Sequence, residues 1–189
     1  MKKIFITLAV FFAAVNMMAQ EHLSFKGIPI EGSMTEFCQK LKDKGFTSIG
    51  QENNITLFIG DFTGREATVG VTATDDGNNV FAVVILFPPS GEWNTLVNTY
   101  DYYKDLYSRK YGKPTISKEK NPALTDSNTA LMAEVYQGTV VYGSAWEVTG
   151  GDIQLSIEKS SGVYEGMVMI RYRDSQNVEA KIQNDLDDI

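Results

Sequence analysis

The chain has 189 residues, a net charge of −7 at neutral pH, one histidine and one cysteine. An acidic surface repels phosphate backbones and anionic lipid headgroups, so nucleic acid is excluded as a partner. One thiol cannot form an internal disulfide, and neither a cysteine-rich nor a histidine-rich zinc site can be assembled. The length suits one domain with a substantial core.

The N-terminus has the three parts of a secretory signal peptide. Lys2 and Lys3 provide positive charge, residues 4–15 are apolar, and Ala19 is small enough to precede a cleavage site. The apolar run is shorter than the roughly 20 residues that a membrane span needs. We therefore predict a signal peptide over residues 1–19 and a periplasmic or secreted mature chain with no transmembrane segment. An uncleaved anchor or a buried helix is the alternative.

The first half of the mature chain predicts one helix followed by strands. Ser33 and Glu36 have the spacing of a capping box. An apolar stripe follows, and Gly45 suits a C-terminal cap, which together predict a helix over 34–44. The predicted extended segments are 23–25, 28–30, 55–62, 66–73 and 80–87, with a turn at 75–78. The last strand is apolar throughout, as expected where both faces are covered.

The second half begins with another helix. It starts at Ser90 or Gly91, and Gly112 and Pro114 end it. The apolar stripe of this helix consists of Trp93, Leu96, Val97, Tyr100, Tyr103 and Tyr107. A mobile loop over 117–128, strands over 129–136, 140–148, 152–158 and 163–172, and a short helix over 175–189 are predicted to follow.

The two halves have the same layout. Phe62-Thr63-Gly64 and Val148-Thr149-Gly150 each precede a strand of alternating polarity. We predict residues 20–189 to be a single α+β domain in which a unit of a helix followed by antiparallel strands occurs twice, over about 22–89 and 90–174, with both helices on one face of the sheet. Chance similarity between two amphipathic hairpins is the alternative.

Few residues favour catalysis. His22 lies at the mature N-terminus, where chains fray, so we expect it to be solvated, which excludes triads and dyads built on histidine. Cys38 lies in the apolar stripe of the first helix and is expected to be buried and inert; a nucleophile or a site of intermolecular pairing is the alternative. Residues 75–79 suit a hairpin turn better than a calcium loop. We predict no catalytic residue, no cofactor and no metal site.

One face of the predicted sheet mixes polar, flexible and apolar side chains, which suits recognition more than catalysis. Tyr102 lies off the apolar stripe of the second helix, so it is expected to be exposed. We predict a partner-binding face formed by Thr68, Thr72, Gln154, Ser156, Glu158, Met167, Met169, Arg171 and Tyr102.

Six sequence segments, spread over nearly the whole mature chain, resemble those of known proteins: residues 25–32, 44–46, 60–64, 110–114, 151–157 and 172–177. Together they resemble a group of small exported proteins of anaerobic gut bacteria whose function is unknown. The doubled layout is similar to the β-lactamase-inhibitor-type fold, which implies binding of another protein on a sheet face. We therefore expect a non-catalytic periplasmic or surface module that binds a protein, peptide or glycan. The alternative is a carboxylate-dependent hydrolase acting on glycans.

Overall fold

The structure, a computed structural model, describes residues 21–52, 54–119, 127–187 and 189. The predicted signal peptide and residues 120–126 of the predicted loop lie outside the described residues. Within the described ranges, no helix has the length and apolar character needed to cross a membrane.

The protein is α+β, as predicted. Its elements in chain order are β1 (Ser24–Phe25), β2 (Ile28–Pro29), α1 (Met34–Asp43), β3 (Thr47–Glu52), β4 (Ile55–Phe62), β5 (Arg65–Ala73), β6 (Val80–Leu86), α2 (Trp93–Tyr111), β7 (Ile116–Lys118), α3 (Asn128–Gln137), β8 (Gly143–Val148), β9 (Gly151–Lys159), β10 (Gly166–Asp174) and α4 (Ser175–Asp187). Eight strands form one antiparallel sheet in the order β3-β4-β5-β6-β10-β9-β8-β7. Strands β1 and β2 form a separate hairpin.

The first two predicted helices form for the predicted reasons, and the third, predicted over 175–189, is α4. At the start of α1, the Ser33 hydroxyl accepts the Glu36 N–H at 3.3 Å, and the Glu36 carboxylate accepts the Ser33 N–H at 3.3 Å. The helix ends where Gly45 takes φ +91°, a conformation that costs glycine little. Helix α2 starts at Trp93, slightly later than predicted, and its apolar stripe is buried except for half-buried Val97.

The core lies on one side of the sheet. Alternate residues of β5, β9 and β10 point to this side, and paired inward residues include Ile170 with Leu155 and Tyr172 with Ile153. The buried side chains of α1, α2 and α3 join the same apolar cluster. Helix α4 contacts β6, and its Asn177 amide donates to the carbonyls of Ile30 and Val80 at 2.9 Å each.

The predicted strand over 129–136 is wrong, since these residues lie in α3. Its segment is rich in Ala, Leu, Met and Glu, which favour helices. The Ser127 hydroxyl accepts the Ala130 N–H at 3.2 Å and caps the start of the helix. Gly138 adopts the left-handed conformation that ends it. Gly138 therefore ends a helix here, and is not the turn between two strands that the sequence indicated.

The prediction missed two strands, β3 and β7, which are the two edges of the sheet. All three residues of β7 are exposed, and they lie at the start of the predicted loop. Strand β3 is polar and contains an irregularity between Ser48 and Gly50. Edge strands bury little, so they lack the alternating apolar pattern by which strands are recognised.

The expectation that His22 is solvated is also wrong. Its side chain is 22% exposed, with Nδ1 3.0 Å from Oδ2 of the fully buried Asp174 and Nε2 3.5 Å from Oε2 of Glu31. Cys38, in contrast, is buried as predicted, and burial raises the pKa of its thiol.

Candidate functional site

The candidate site is the side of the sheet that faces away from the core, here called the open face. Along β10, Val168 and Ile170 point into the core and are at most 1% exposed, whereas Met167, Met169 and Arg171 alternate with them and are half-buried. The buried side chains of α1, α2 and α3 pack against the opposite side. The open face is therefore accessible along these positions of β10, although α4 also contacts β6, β9 and β10.

The antiparallel register aligns the side chains of the open face in rows across the strands. The first row runs Ile59, Thr68, Leu86, Met169 and Ser156. The second runs Leu57, Gly70, Val84, Arg171 and Gln154. A third runs Ile55, Thr72, Ala82, Arg173 and Asp152. Ala82 of the third row is only 5% exposed and so adds no accessible surface.

Eight of the nine predicted site residues come together on this face: Thr68, Thr72, Gln154, Ser156, Glu158, Met167, Met169 and Arg171. Tyr102 does not. It lies on α2, on the other side of the sheet, where its ring packs against Tyr103 and under the guanidinium of Arg65, 4.8 Å from the ring centre. It is 40% exposed, as the helical pattern predicts, but it belongs to a different surface.

The prediction missed the apolar members of the face on β4 and β6, among them Leu57, Ile59, Val84 and Leu86. The expectation that β6 is covered on both sides is wrong, because Val83 and Ile85 are fully buried while Val84 and Leu86 are half-buried. The sequence did contain a signal for these residues. Strand β6 is apolar at every position, but the predicted helices cover only one face of the sheet, so the apolar residues on its other face had to be accessible.

The two arginines of the face have different environments. The guanidinium of Arg173 is paired with Asp152, with Nε 3.1 Å from Oδ2 and Nη2 3.1 Å from Oδ1. The guanidinium of Arg171 has no carboxylate partner within the part of the chain that is described, and Nη2 lies 3.8 Å from the sulfur of Met169. Arg171 is thus a half-buried cation among Val84, Met169 and Gln154.

A shallow depression of about 260 Å³ lies at one end of the open face. Its lining includes Ile59, Leu86 and Met167 from three strands, with Pro88 and Pro89 at its margin. Glu66 is the carboxylate among its lining residues. The depression therefore extends the apolar surface of the first row and offers a recess for a protruding side chain.

A polar cluster lies between α2 and the edge strand β7. The hydroxyl of Tyr100 is 2.6 Å from the buried Ser144 Oγ and donates to Glu119 at 3.2 Å. Lys104 and Ser117 also donate to Glu119. Desolvation alone would raise the pKa of Glu119, but the hydrogen bonds from Lys104, Ser117 and Tyr100 outweigh it and lower the pKa. The cluster contains serine and lysine, yet the Lys104 ammonium and the Ser117 and Ser144 hydroxyls are engaged within it, where they connect α2, β7 and β8.

The described residues contain no group of three or more His, Cys, Asp or Glu side chains placed to hold a metal ion. No family model, no curated protein and no solved structure matches the chain. The function of the protein is therefore inferred from the geometry of the open face.

Proposed function

We propose that the chain is an exported, non-catalytic module that binds another protein through the open face, and that this partner presents a carboxylate to Arg171. The observation that carries the proposal is the half-buried guanidinium of Arg171, which has no carboxylate partner in the described ranges. A partly desolvated cation gains most from an anionic partner, because few waters compensate it. Arginine surrounded by apolar groups is a common centre of binding energy in protein interfaces.

The surroundings of Arg171 favour a protein over a glycan. Sugar rings stack on aromatic side chains, and none of the outward-facing residues of the three rows is aromatic. Instead, half-buried Leu86, Val84 and Met169 supply apolar area, and methionine adapts its shape to a partner. The resemblance of the layout to the β-lactamase-inhibitor-type fold favours the same mode of binding.

The hydrolase alternative finds less support on this face. A glycosidase needs two carboxyl groups that flank the scissile bond, one as acid and one as nucleophile or base. Among the carboxylates of this face, Glu66 lines the depression, Glu158 on β9 is separated from Glu66 by β6 and β10, and Asp152 is engaged by Arg173 and Gln154. We therefore propose binding and not hydrolysis.

Site-specific photocrosslinking tests the proposal. A photoreactive amino acid replaces Met169 in one variant and Tyr102, on the helix side, in a matched control. In the envelope of the native host, the variant at 169 should give one discrete adduct with a different protein, and the control should not. Arg171→Glu should abolish the adduct and Arg171→Lys should retain part of it. An adduct of twice the chain mass, or equal yields from both positions, would contradict the proposal.

Export is proposed from the signal-like N-terminus and has its own test. The chain expressed in a bacterium with intact secretion should be recovered from the envelope with Gln20 at or near its N-terminus. N-terminal sequencing that finds Met1 on the envelope form would refute cleavage.

We also propose that the two halves arose by duplication. Helix α1 precedes the four strands β3–β6, and α2 precedes the four strands β7–β10. The last strands of the halves, β6 and β10, are antiparallel neighbours at the centre of the sheet. If the halves are equivalent, residues 22–89 produced alone should form a symmetric dimer through β6. A monomeric or unfolded fragment would count against duplication.

A further inference from the structure

A second concavity lies on the helix side of the sheet, away from the open face. It is called the α2 pocket here and has a volume of about 330 Å³. It is lined by Lys26, Phe62, Thr63, Tyr103, Leu106, Tyr107, Lys110, Tyr111 and Tyr172. These residues come from α2, from β10 and from the β1–β2 and β4–β5 turns. The size and the aromatic lining are typical of a small-molecule site.

Two cations stand at this pocket. The Nζ atom of Lys26 donates to the backbone carbonyl of Asp61 at 3.0 Å and lies 5.2 Å from the ring centre of Phe46. The Nζ atom of Lys110 lies 4.8 Å from the ring centre of Tyr111. Neither ammonium group has a carboxylate partner in the described part of the chain, although the protein is acidic overall. Two unpaired cations beside aromatic rings favour an anionic ligand.

The backbone at the pocket is strained. Lys26 and Thr63 have φ values of 50° and 56°, and each is followed by a glycine with positive φ in a two-residue hairpin turn. Such turns favour Asn, Asp or Gly at the first position, and a β-branched residue there is an outlier. Of the three non-glycine residues with positive φ in the described ranges, these two line the pocket. Backbone strain of this kind concentrates at functional sites.

Four of the five hydroxyl groups that line the pocket are already engaged, and Tyr111 carries the fifth. The Tyr103 hydroxyl is 2.8 Å from Thr63 Oγ1 and donates to the Phe62 carbonyl at 3.2 Å. The hydroxyls of Tyr107 and Tyr172 bond to each other. A ligand is therefore selected chiefly by its fit between the aromatic rings and by its charge, since among the lining hydroxyls only that of Tyr111 has no hydrogen bond in the described residues.

We propose that the α2 pocket binds a small aromatic anion, with a single ring packed against Phe62, Tyr103 and Tyr107 and the anionic group near Lys26 and Lys110. This inference does not depend on the proposed protein-binding function, because the pocket and the open face lie on opposite sides of the sheet.

Matched probes of the same ring test it. Benzoate and benzyl alcohol are titrated into the ¹⁵N-labelled mature chain while the amide resonances of Thr63, Gly64 and Tyr111 are followed. Benzoate should shift them saturably, and benzyl alcohol should bind at least about tenfold more weakly, since it lacks the charge that the lysines recognise. Lys26→Met and Lys110→Met, which keep the aliphatic stems, should each weaken benzoate binding without changing benzyl alcohol binding.

Lys159→Met is the matched control, because Lys159 also covers an aromatic ring, that of Tyr136 at 4.9 Å, but lies outside the pocket. It should leave benzoate binding unchanged. Thermal melting of each variant verifies that it is folded. Equal binding of the two probes, the absence of saturable shifts, or equal loss in Lys159→Met would overturn the proposal.

Discussion

The imidazole of His22 lies against the carboxylate of Asp174, with Nδ1 of the histidine 3.0 Å from Oδ2 of the aspartate. The same Oδ2 accepts the Leu23 N–H at 2.9 Å, and Oδ1 accepts the Asn177 N–H at 3.0 Å. One fully buried carboxylate thus joins the start of the described chain to the end of β10 and caps α4. The segment that precedes α1 is thus held in place at Leu23 by Asp174, which lies 151 positions further along the chain.

Asp174→Ala should destabilise the protein by about 2–4 kcal/mol, because it removes a helix cap and leaves the buried Leu23 N–H without an acceptor. Urea unfolding of the variant and the wild type measures the change. Asp187→Ala, at the exposed end of the same helix, is the control and should change stability by less than about 0.5 kcal/mol. Equal effects at both positions would show that Asp174 does not fasten the N-terminal segment.

The His22 contact explains why the N-terminus could not be predicted. Sequence reasoning places a lone histidine near a chain end in solvent, because its partner at Asp174 is distant in sequence. The local signals were reliable by comparison: Ser33 and Glu36 form the predicted capping box, and strand β4 spans the predicted residues 55–62. His22 and the edge strands were missed because their burial or partners depend on the assembled sheet, whereas α3 was missed although its composition and its Ser127 cap are local signals.

Part of the open face was predictable from the two-residue periodicity of strands. Residues two apart on a strand share a side, so Met167, Met169 and Arg171 could be grouped from sequence alone. Tyr102 was grouped with them wrongly, because exposure on a helix does not reveal on which side of the sheet that helix packs. The half-buried rows of β4 and β6 required the strand register, which only the structure supplies.

Cys38→Ala should cost about 1 kcal/mol, because the thiol packs in the core and its removal leaves a small cavity. Cys38→Asp should cost considerably more, because it places a charge there. Burial raises the pKa of the thiol, so native protein should react with a disulfide reagent far more slowly than protein in denaturant. Equal rates in the two conditions would contradict burial.

Two adjacent residues of β10, Met169 on the open face and Ile170 in the core, provide a matched test of which side of the sheet is exposed. Met169→Glu should change the free energy of unfolding by no more than about 1 kcal/mol, because the side chain is half-exposed. Ile170→Glu should cost more than about 4 kcal/mol, because it places a carboxylate in the core. Thermal and urea unfolding compare the two variants, and a pull-down from envelope extract should show that Met169→Glu no longer captures the partner. A large loss of stability in Met169→Glu would show that this residue is core and that the open face is not accessible to a partner at this position.

The cluster around Glu119 predicts acid sensitivity of β7. A carboxyl group whose pKa is lowered by folding stabilises the folded state above its unfolded pKa, and the effect is lost as pH falls through the folded value. Amide exchange of Ser117 should therefore accelerate relative to that of β9 as the pH drops below the ordinary glutamate value of 4.5.

A second carboxyl group, Asp101, opposes this trend. Burial, with Glu119 nearby, raises its pKa, so its protonation stabilises the folded state as the pH falls, and Asp101→Asn should make the acid sensitivity sharper. Lys104→Met should remove much of the pH dependence, and an unchanged profile in that variant would contradict the assignment.

The hydroxyl pair of Tyr107 and Tyr172 connects α2 to the central strand β10 and gives the last prediction. Burial raises the pKa of both phenols above their usual range, so both remain neutral donors and acceptors at physiological pH. Tyr172→Phe should cost about 1–2 kcal/mol, because it leaves the Tyr107 hydroxyl buried without its partner, and Tyr107→Phe should behave alike. The double variant should cost less than the sum of the two, since no hydroxyl is then stranded. Urea unfolding of the four proteins completes the cycle, and strictly additive costs would mean that the two hydroxyls do not interact.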